Sequence, residues 1–147
     1  IFNFFFIMKS LFDKISFDCS KNVTKSYSTS FSVAVKMLAP TIRQDIYNIY
    51  GFVRFADEIV DTFHDYNKEV LFEMFEKDLE NALKYKISLN PVLNSFQNTV
   101  HKYAIPQTLI NAFMNSMKLD LYKKEYTTIK DMDFHVMNKL NFMELIE

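Results

Sequence analysis

Four residues have the types and spacing for chemistry: Tyr50, Arg54, Asp57 and Asp61, within the stretch from Ile46 to Phe63, IYNIYGFVRFADEIVDTF. At about 100° per residue they fall within an arc of roughly 60° on a helix. The rest of that helix is apolar almost all round, with Ile46, Ile49, Phe52, Val53, Phe55, Ala56, Ile59 and Val60. A helix of this kind sits inside a protein. Charge placed there is costly unless it is paired or binds something charged. Asp57 and Asp61 are one turn apart and project side by side. Hard cations such as Mg²⁺ take oxygen ligands, with one or two carboxylates and the phosphates of a substrate. Arg54 can pair with an acid or fork onto a phosphate. The stripe therefore suits a metal-bound diphosphate. The plain alternative is an internal Arg–Asp ion pair on a solvated face.

The elements that must position this stripe read as helices. One Gly and three Pro in 147 residues argue against an all-β chain, whose turns need both. With 49% hydrophobic and 24% charged residues the chain is globular, and it is long enough for one domain with a core. A net charge of −1 gives no footprint for nucleic acid. The lone Cys19 excludes an intramolecular disulfide and a multi-cysteine metal site, and three scattered His give no zinc motif.

Taken in order, Ile1 to Ile7 is too short and lacks the basic start of a signal peptide, and it cannot span a bilayer. It reads as upstream read-through before Met8, or as the boundary of a fragment. Met8 to Cys19 reads as a short amphipathic helix, and Ser20 to Thr29 as a polar stretch containing a helix start. Ser28 and Ser30 stand just before the apolar run from Phe31 to Leu38, as capping hydroxyls or as part of an anion site. Pro40 ends that segment or opens the next, and Thr41 reads as an N-cap. Lys68 to Lys86 reads as an amphipathic helix that buries Val70, Leu71, Met74, Phe75, Leu79 and Leu83. Val92 to Tyr103 follows, with Leu93, Phe96 and Val100 inward. Gln107 to about Tyr126 follows Pro106, with Leu109, Ile110, Phe113, Met117 and Leu121 on one stripe. Asp120 lies beside that stripe as a third acid, or as a partner for Lys123 or Lys124. The 16 Phe are core filler or the lining of an apolar tunnel.

Two of these segments resemble the squalene/phytoene synthase family. Ser28-Thr29-Ser30-Phe31 is similar to its S-x-S-F. Ile46 to Asp61 is similar to its A-I-Y-A-x-Y-x-F-x-R-x-A-D-D-x-V-D, with the tyrosine, arginine and both aspartates at the same spacing. Ala104 to Pro106 and Tyr126-Thr127 look like later landmarks. The resemblance covers about Lys25 to Thr128 and implies an all-α, isoprenoid-synthase-type helical bundle around a central cavity. It implies head-to-head condensation of two prenyl diphosphates through a cyclopropyl intermediate. The phytoene type uses geranylgeranyl diphosphate, and the squalene or dehydrosqualene type uses farnesyl diphosphate.

The resemblance also assigns roles. Asp57 and Asp61 would hold Mg²⁺, or Mn²⁺ in its place. Tyr50 and Arg54 would line the same site, and Ser28 and Ser30 would contact diphosphate. Location would be cytoplasmic, with peripheral membrane contact where the apolar product leaves. The family's second Asp-rich motif and its V-A-G-x-V-G stretch are not seen; Met137 to Glu147 stands in their place. The expectation is thus an N-terminal half over 8–136, a divergent or truncated end over 137–147, and inactivity alone. A non-catalytic binding or assembly protein of the same fold, and an unrelated helical interaction module, are the competing readings.

Overall fold

The protein is described by a computed structural model, in which residues 1–122 are described. Six helices occupy them: α1 (Phe2–Tyr27), α2 (Thr29–Val35), α3 (Pro40–Asp61), α4 (Lys68–Tyr85), α5 (Pro91–Tyr103) and α6 (Gln107–Tyr122). Among the described residues there is no strand, so the all-α expectation holds. None of these helices is long and apolar enough to cross a membrane.

The chain divides into two compact units. The first comprises Ile1–Phe52 and Asp78–Tyr103. Here α1 runs unbroken for 26 residues, through the stretch that the sequence divides into a short helix and a polar segment. The reason is a polar stripe that faces inward. Ser16, Ser20 and Thr24, one turn apart, are all fully buried. Thr24 returns its hydroxyl to the Ser20 carbonyl at 2.9 Å, and Ser16 does the same to Phe12 at 3.0 Å. The Asn94 amide of α5 donates to Ser16 Oγ and to Asp13 Oδ1, both at 3.0 Å, and Ser20 bonds the hydroxyl of Ser95. A buried hydroxyl is tolerated when its hydrogen bonds are made. Small side chains here also let backbones approach. A Cβ on Gly51 of α3 would stand 3.1 Å from Ser20 Oγ, so glycine fits where a larger residue would crowd.

The apolar side of this unit is built on Ile49, Phe52, Leu93 and Phe96, each at most 1% exposed. Phe52 and Phe96 stack at 3.9 Å between ring centroids, with 12° between planes. A second polar cluster joins α3 to α5. Asp45, which is buried, accepts from Thr99 at 3.2 Å, from Lys102 at 2.7 Å and from the Tyr103 hydroxyl at 2.6 Å. Asn48 donates to Thr99 at 3.0 Å, and Gln44 ties Asn48 to the Phe17 carbonyl of α1. α5 therefore buries Asn94, Ser95, Gln97 and Thr99 as well as its apolar face.

The second unit comprises Val53–Lys77 and the chain from Ala104 onward. Its core holds Val53, Ala56, Ile59 and Val60 of α3, Phe72 and Phe75 of α4, and Ile110, Phe113 and Met117 of α6. Two sequence expectations are corrected in α4. Val70 is 46% and Met74 57% exposed, and the buried face is instead Phe72, Phe75, Leu79 and Ala82. At α3, Pro40 is the first helical residue, so Thr41 lies inside the helix and does not cap it. Proline suits that position because its missing N–H would have no helical partner there. Glycine is not needed to end α4 and α5, since Lys86 and Ala104 take the left-handed conformation themselves (φ 59° and 50°). The expected helix end near Tyr126, the landmark Tyr126-Thr127 and the segment from Met137 to Glu147 lie outside the described residues.

The Asp45 cluster carries a pH signature. Its hydrogen bond from Lys102 raises that ammonium above its usual 10.5, burial opposing, and its bond from Tyr103 raises that hydroxyl above its usual 10.0, burial assisting. Both groups are held protonated in the fold. Their contribution is therefore complete below the unfolded values and is lost as pH rises through the raised ones. Unfolding midpoints of the protein and of Asp45→Asn, measured from about pH 9 to about pH 12, should converge as pH rises. A gap that stays constant over that range would contradict the assignment.

Candidate functional site

α3 carries the four stripe residues, and its regular 22-residue course places them on one helix face. Arg54 is the centre of the charged part. Its Nη1 donates to Asp57 Oδ2 at 3.2 Å, and its Nη2 to Glu58 Oε1. The side chains become more buried along this series, from Arg54 at 29% exposed through Asp57 at 13% to Glu58 at 8%. The guanidinium is thus a hub for two carboxylates in apolar surroundings. Glu58 was not singled out by the sequence, because it lies off the stripe. The signal was its place four residues after Arg54, the spacing of an intrahelical pair.

Asp61, one turn beyond Asp57, is the last residue of α3 and is exposed. Tyr50, in the first unit, is half-buried, and its ring stacks on Phe31 at 4.8 Å with 22° between planes. That stack ties α3 to the Ser28-Thr29-Ser30-Phe31 segment. Ser28 Oγ accepts the Phe31 backbone N–H at 3.2 Å and so caps α2. Ser30 is exposed in the first turn of α2, and Asp120 is half-buried in α6. The structure thus joins Arg54 to Asp57 and Tyr50 to the serine segment.

The donor set is compatible with a hard cation. Asp57 and Asp61 offer oxygen only, at i,i+4 spacing. Among the described residues no group of three or more His, Cys, Asp or Glu could hold a metal ion by itself. Two carboxylates completed by phosphate and water are a usual arrangement for Mg²⁺, whereas a dedicated all-protein cage is not. When no ligand is bound, Arg54 supplies the positive charge beside Asp57.

No curated protein matches the chain. Among solved structures, a crystal structure described as a dehydrosqualene synthase in complex with ligand shares the fold. It superposes with a TM-score of 0.74 at 19% identity. That likeness covers 91% of this chain and 46% of the other, so the chain spans about half the length of this relative. The architecture is accordingly an isoprenoid-synthase-type helical fold. The family model for squalene/phytoene synthase matches residues 24–137. That span takes in Ser28 and Ser30, the Tyr50 stack, the Arg54 hub, Asp61 and Asp120. With the fold and the matched residues in agreement, the chain belongs to the squalene/phytoene synthase family.

Proposed function

We propose that this chain is the diphosphate-activating half of an enzyme that condenses two prenyl diphosphates head to head. The observation that carries the reading is the family match over the span containing Arg54, Asp57 and Asp61. Within the family we favour the phytoene type, acting on geranylgeranyl diphosphate toward carotenoids. The squalene or dehydrosqualene type, acting on farnesyl diphosphate, is the runner-up. The location would be cytoplasmic, with peripheral contact to a membrane that takes up the apolar product.

The chemistry asked of the residues is ionisation. The allylic C–O bond breaks and its electron pair leaves with the diphosphate, which needs its charge absorbed. Asp57 and Asp61 would hold Mg²⁺, with Mn²⁺ as substitute, and the bound ion supplies that charge at the phosphate oxygens. Arg54 would turn from its carboxylates to a phosphate oxygen, for which its planar fork is suited. Ser28 and Ser30 would donate hydroxyl hydrogen bonds to the diphosphate. Tyr50, fixed by its stack on Phe31, would orient the same substrate. Apolar side chains would keep water from the allylic cation. Asp120 is the weaker candidate as a further acid.

A second reading keeps the fold and drops the chemistry, as a binding or assembly protein. It is favoured by the engagement of Arg54 with Glu58, an ion pair that needs no ligand. Mg²⁺-dependent binding of a prenyl diphosphate separates the two.

One acidic motif of the implied two is expected to make no product by itself. The test is incubation of the 147-residue chain with Mg²⁺ and farnesyl or geranylgeranyl diphosphate, followed by extraction. A C30 or C40 hydrocarbon above the no-protein control would overturn the half-site reading. In a chain completed by a second-motif half, Asp57→Ala and Asp61→Ala should each lower product by at least about 10²–10³. Full product from both variants would remove the metal assignment.

A further inference from the structure

The first unit contains a pocket that the stripe does not use. It encloses about 400 Å³ and is lined by Lys21, Lys25, Lys36, Arg43, Gln44 and Tyr47, with Pro40 at its edge. Four of these side chains are cationic and none is acidic. They come from three places: α1, the C-cap of α2 and the second turn of α3. The whole chain has a net charge of −1, so this concentration is a local feature and not a reflection of composition.

Like charges this close oppose one another. Lys21 and Lys25 stand one turn apart on α1, a spacing at which equal charges destabilise a helix. Among the described residues none of the four cations forms an ion pair with an acid. Two of them, Arg43 and Lys21, are engaged by other means. Arg43 donates from Nε to the Leu38 carbonyl at 3.0 Å and from Nη2 to the Lys36 carbonyl at 2.8 Å. These bonds fix its plane and do not engage Nη1. Lys21 Nζ lies over the Tyr47 ring at 5.9 Å from its centroid, and that ring is itself 4% exposed. One wall is therefore rigid and aromatic, and the rim is made of exposed Lys25 and Lys36. The volume lies within the range of small-molecule sites.

We propose that this pocket is a phosphate-anion site, separate from the Asp57–Asp61 pair and independent of Mg²⁺. The fixed Arg43 provides a planar donor for phosphate oxygens, and the three lysines provide mobile point charges around it. A diphosphate carries the multiple charge that four cations would balance. Such a group comes either free in solution or as a phosphate headgroup at a lipid surface, and the same cations would recognise both.

The experiment uses the 147-residue chain in EDTA, with two probes. One is inorganic diphosphate, followed by calorimetry. The other is vesicles of phosphatidylglycerol and phosphatidylcholine, against phosphatidylcholine alone, followed by co-sedimentation. Binding of either probe is expected, and the probe that binds identifies the source. Lys25→Glu and Lys36→Glu should each weaken it about tenfold or more. Lys14→Glu, which changes net charge equally at an exposed site paired with Asp18, should leave it within about twofold. Asp57→Asn should not weaken it, which keeps the result apart from the fate of the metal reading. Failure of both probes to bind would overturn the proposal. So would equal weakening by Lys14→Glu and Lys25→Glu, the mark of unlocalised charge attraction.

Discussion

Phe52→Ala is expected to destabilise the protein by about 3–5 kcal/mol, the range for deleting a large aromatic from a packed core. Phe52 is fully buried and stacks face to face with Phe96 of α5, which is also fully buried. The side chain sits in the middle of α3, so neighbours on both flanking turns would border the cavity. Domains are stable by only about 5–15 kcal/mol, so roughly a fifth or more of the total is at stake. Denaturant unfolding measures it, with Met74→Ala as the contrast. Met74 is 57% exposed and should cost no more than about 0.5 kcal/mol. If the two variants were equally destabilised, the assignment of the core face would fail.

Arg54→Met is expected to be about as damaging, by roughly 3–5 kcal/mol, because breaking a buried pair leaves its other half uncompensated. Here the half left behind is Glu58, whose side chain is 8% exposed, with Asp57 beside it at 13%. Methionine keeps the apolar stem and removes only the guanidinium. The double variant Arg54→Met, Glu58→Leu should recover most of the loss, since an apolar replacement of an ion pair is often neutral. A double-mutant cycle from unfolding curves isolates the coupling. A single-variant loss below about 0.5 kcal/mol would mean that Arg54 is not the hub of this cluster. On the proposed function, stability and catalysis would place opposite demands on Arg54, which would have to leave its carboxylates to reach a phosphate.

Much of this was legible in the sequence, for reasons that can be named. α3 announced itself because its apolar residues cover the circumference and its charges do not, and the same contrast isolated Tyr50, Arg54, Asp57 and Asp61. α4 was misphased because Val70, Leu71, Phe72, Met74 and Phe75 are nearly continuous. Such a run fixes no direction, and only tertiary packing decides that Phe72 goes in and Val70 out. In α1 and α5 the signal was inverted. Ser16, Ser20, Thr24, Asn94 and Thr99 are buried by hydrogen bonding, and hydrophobic periodicity counts such residues as solvent-facing. Asp45 was passed over for the same reason, since its partners Lys102 and Tyr103 come from a helix 57 and 58 residues later. The basic pocket escaped because its cations are spread over 23 positions and converge only in the fold.

The buried hydroxyl stripe of α1 has a consequence for synthesis on the ribosome. Its partners Asn94 and Ser95 follow it by 75 to 78 residues. At about 5–20 residues per second, α1 emerges roughly 4–15 s before α5 exists to receive it. During that interval Ser16, Ser20 and Thr24 can be satisfied by water and by their own helix, which an apolar stripe could not be. The waiting helix also carries Phe4, Phe5, Phe6 and Ile7, each at least 60% exposed even in the folded protein. Early helical structure in α1 is therefore compatible with solubility along the stripe, and Phe4 to Ile7 are the part of α1 whose apolar surface stays uncovered.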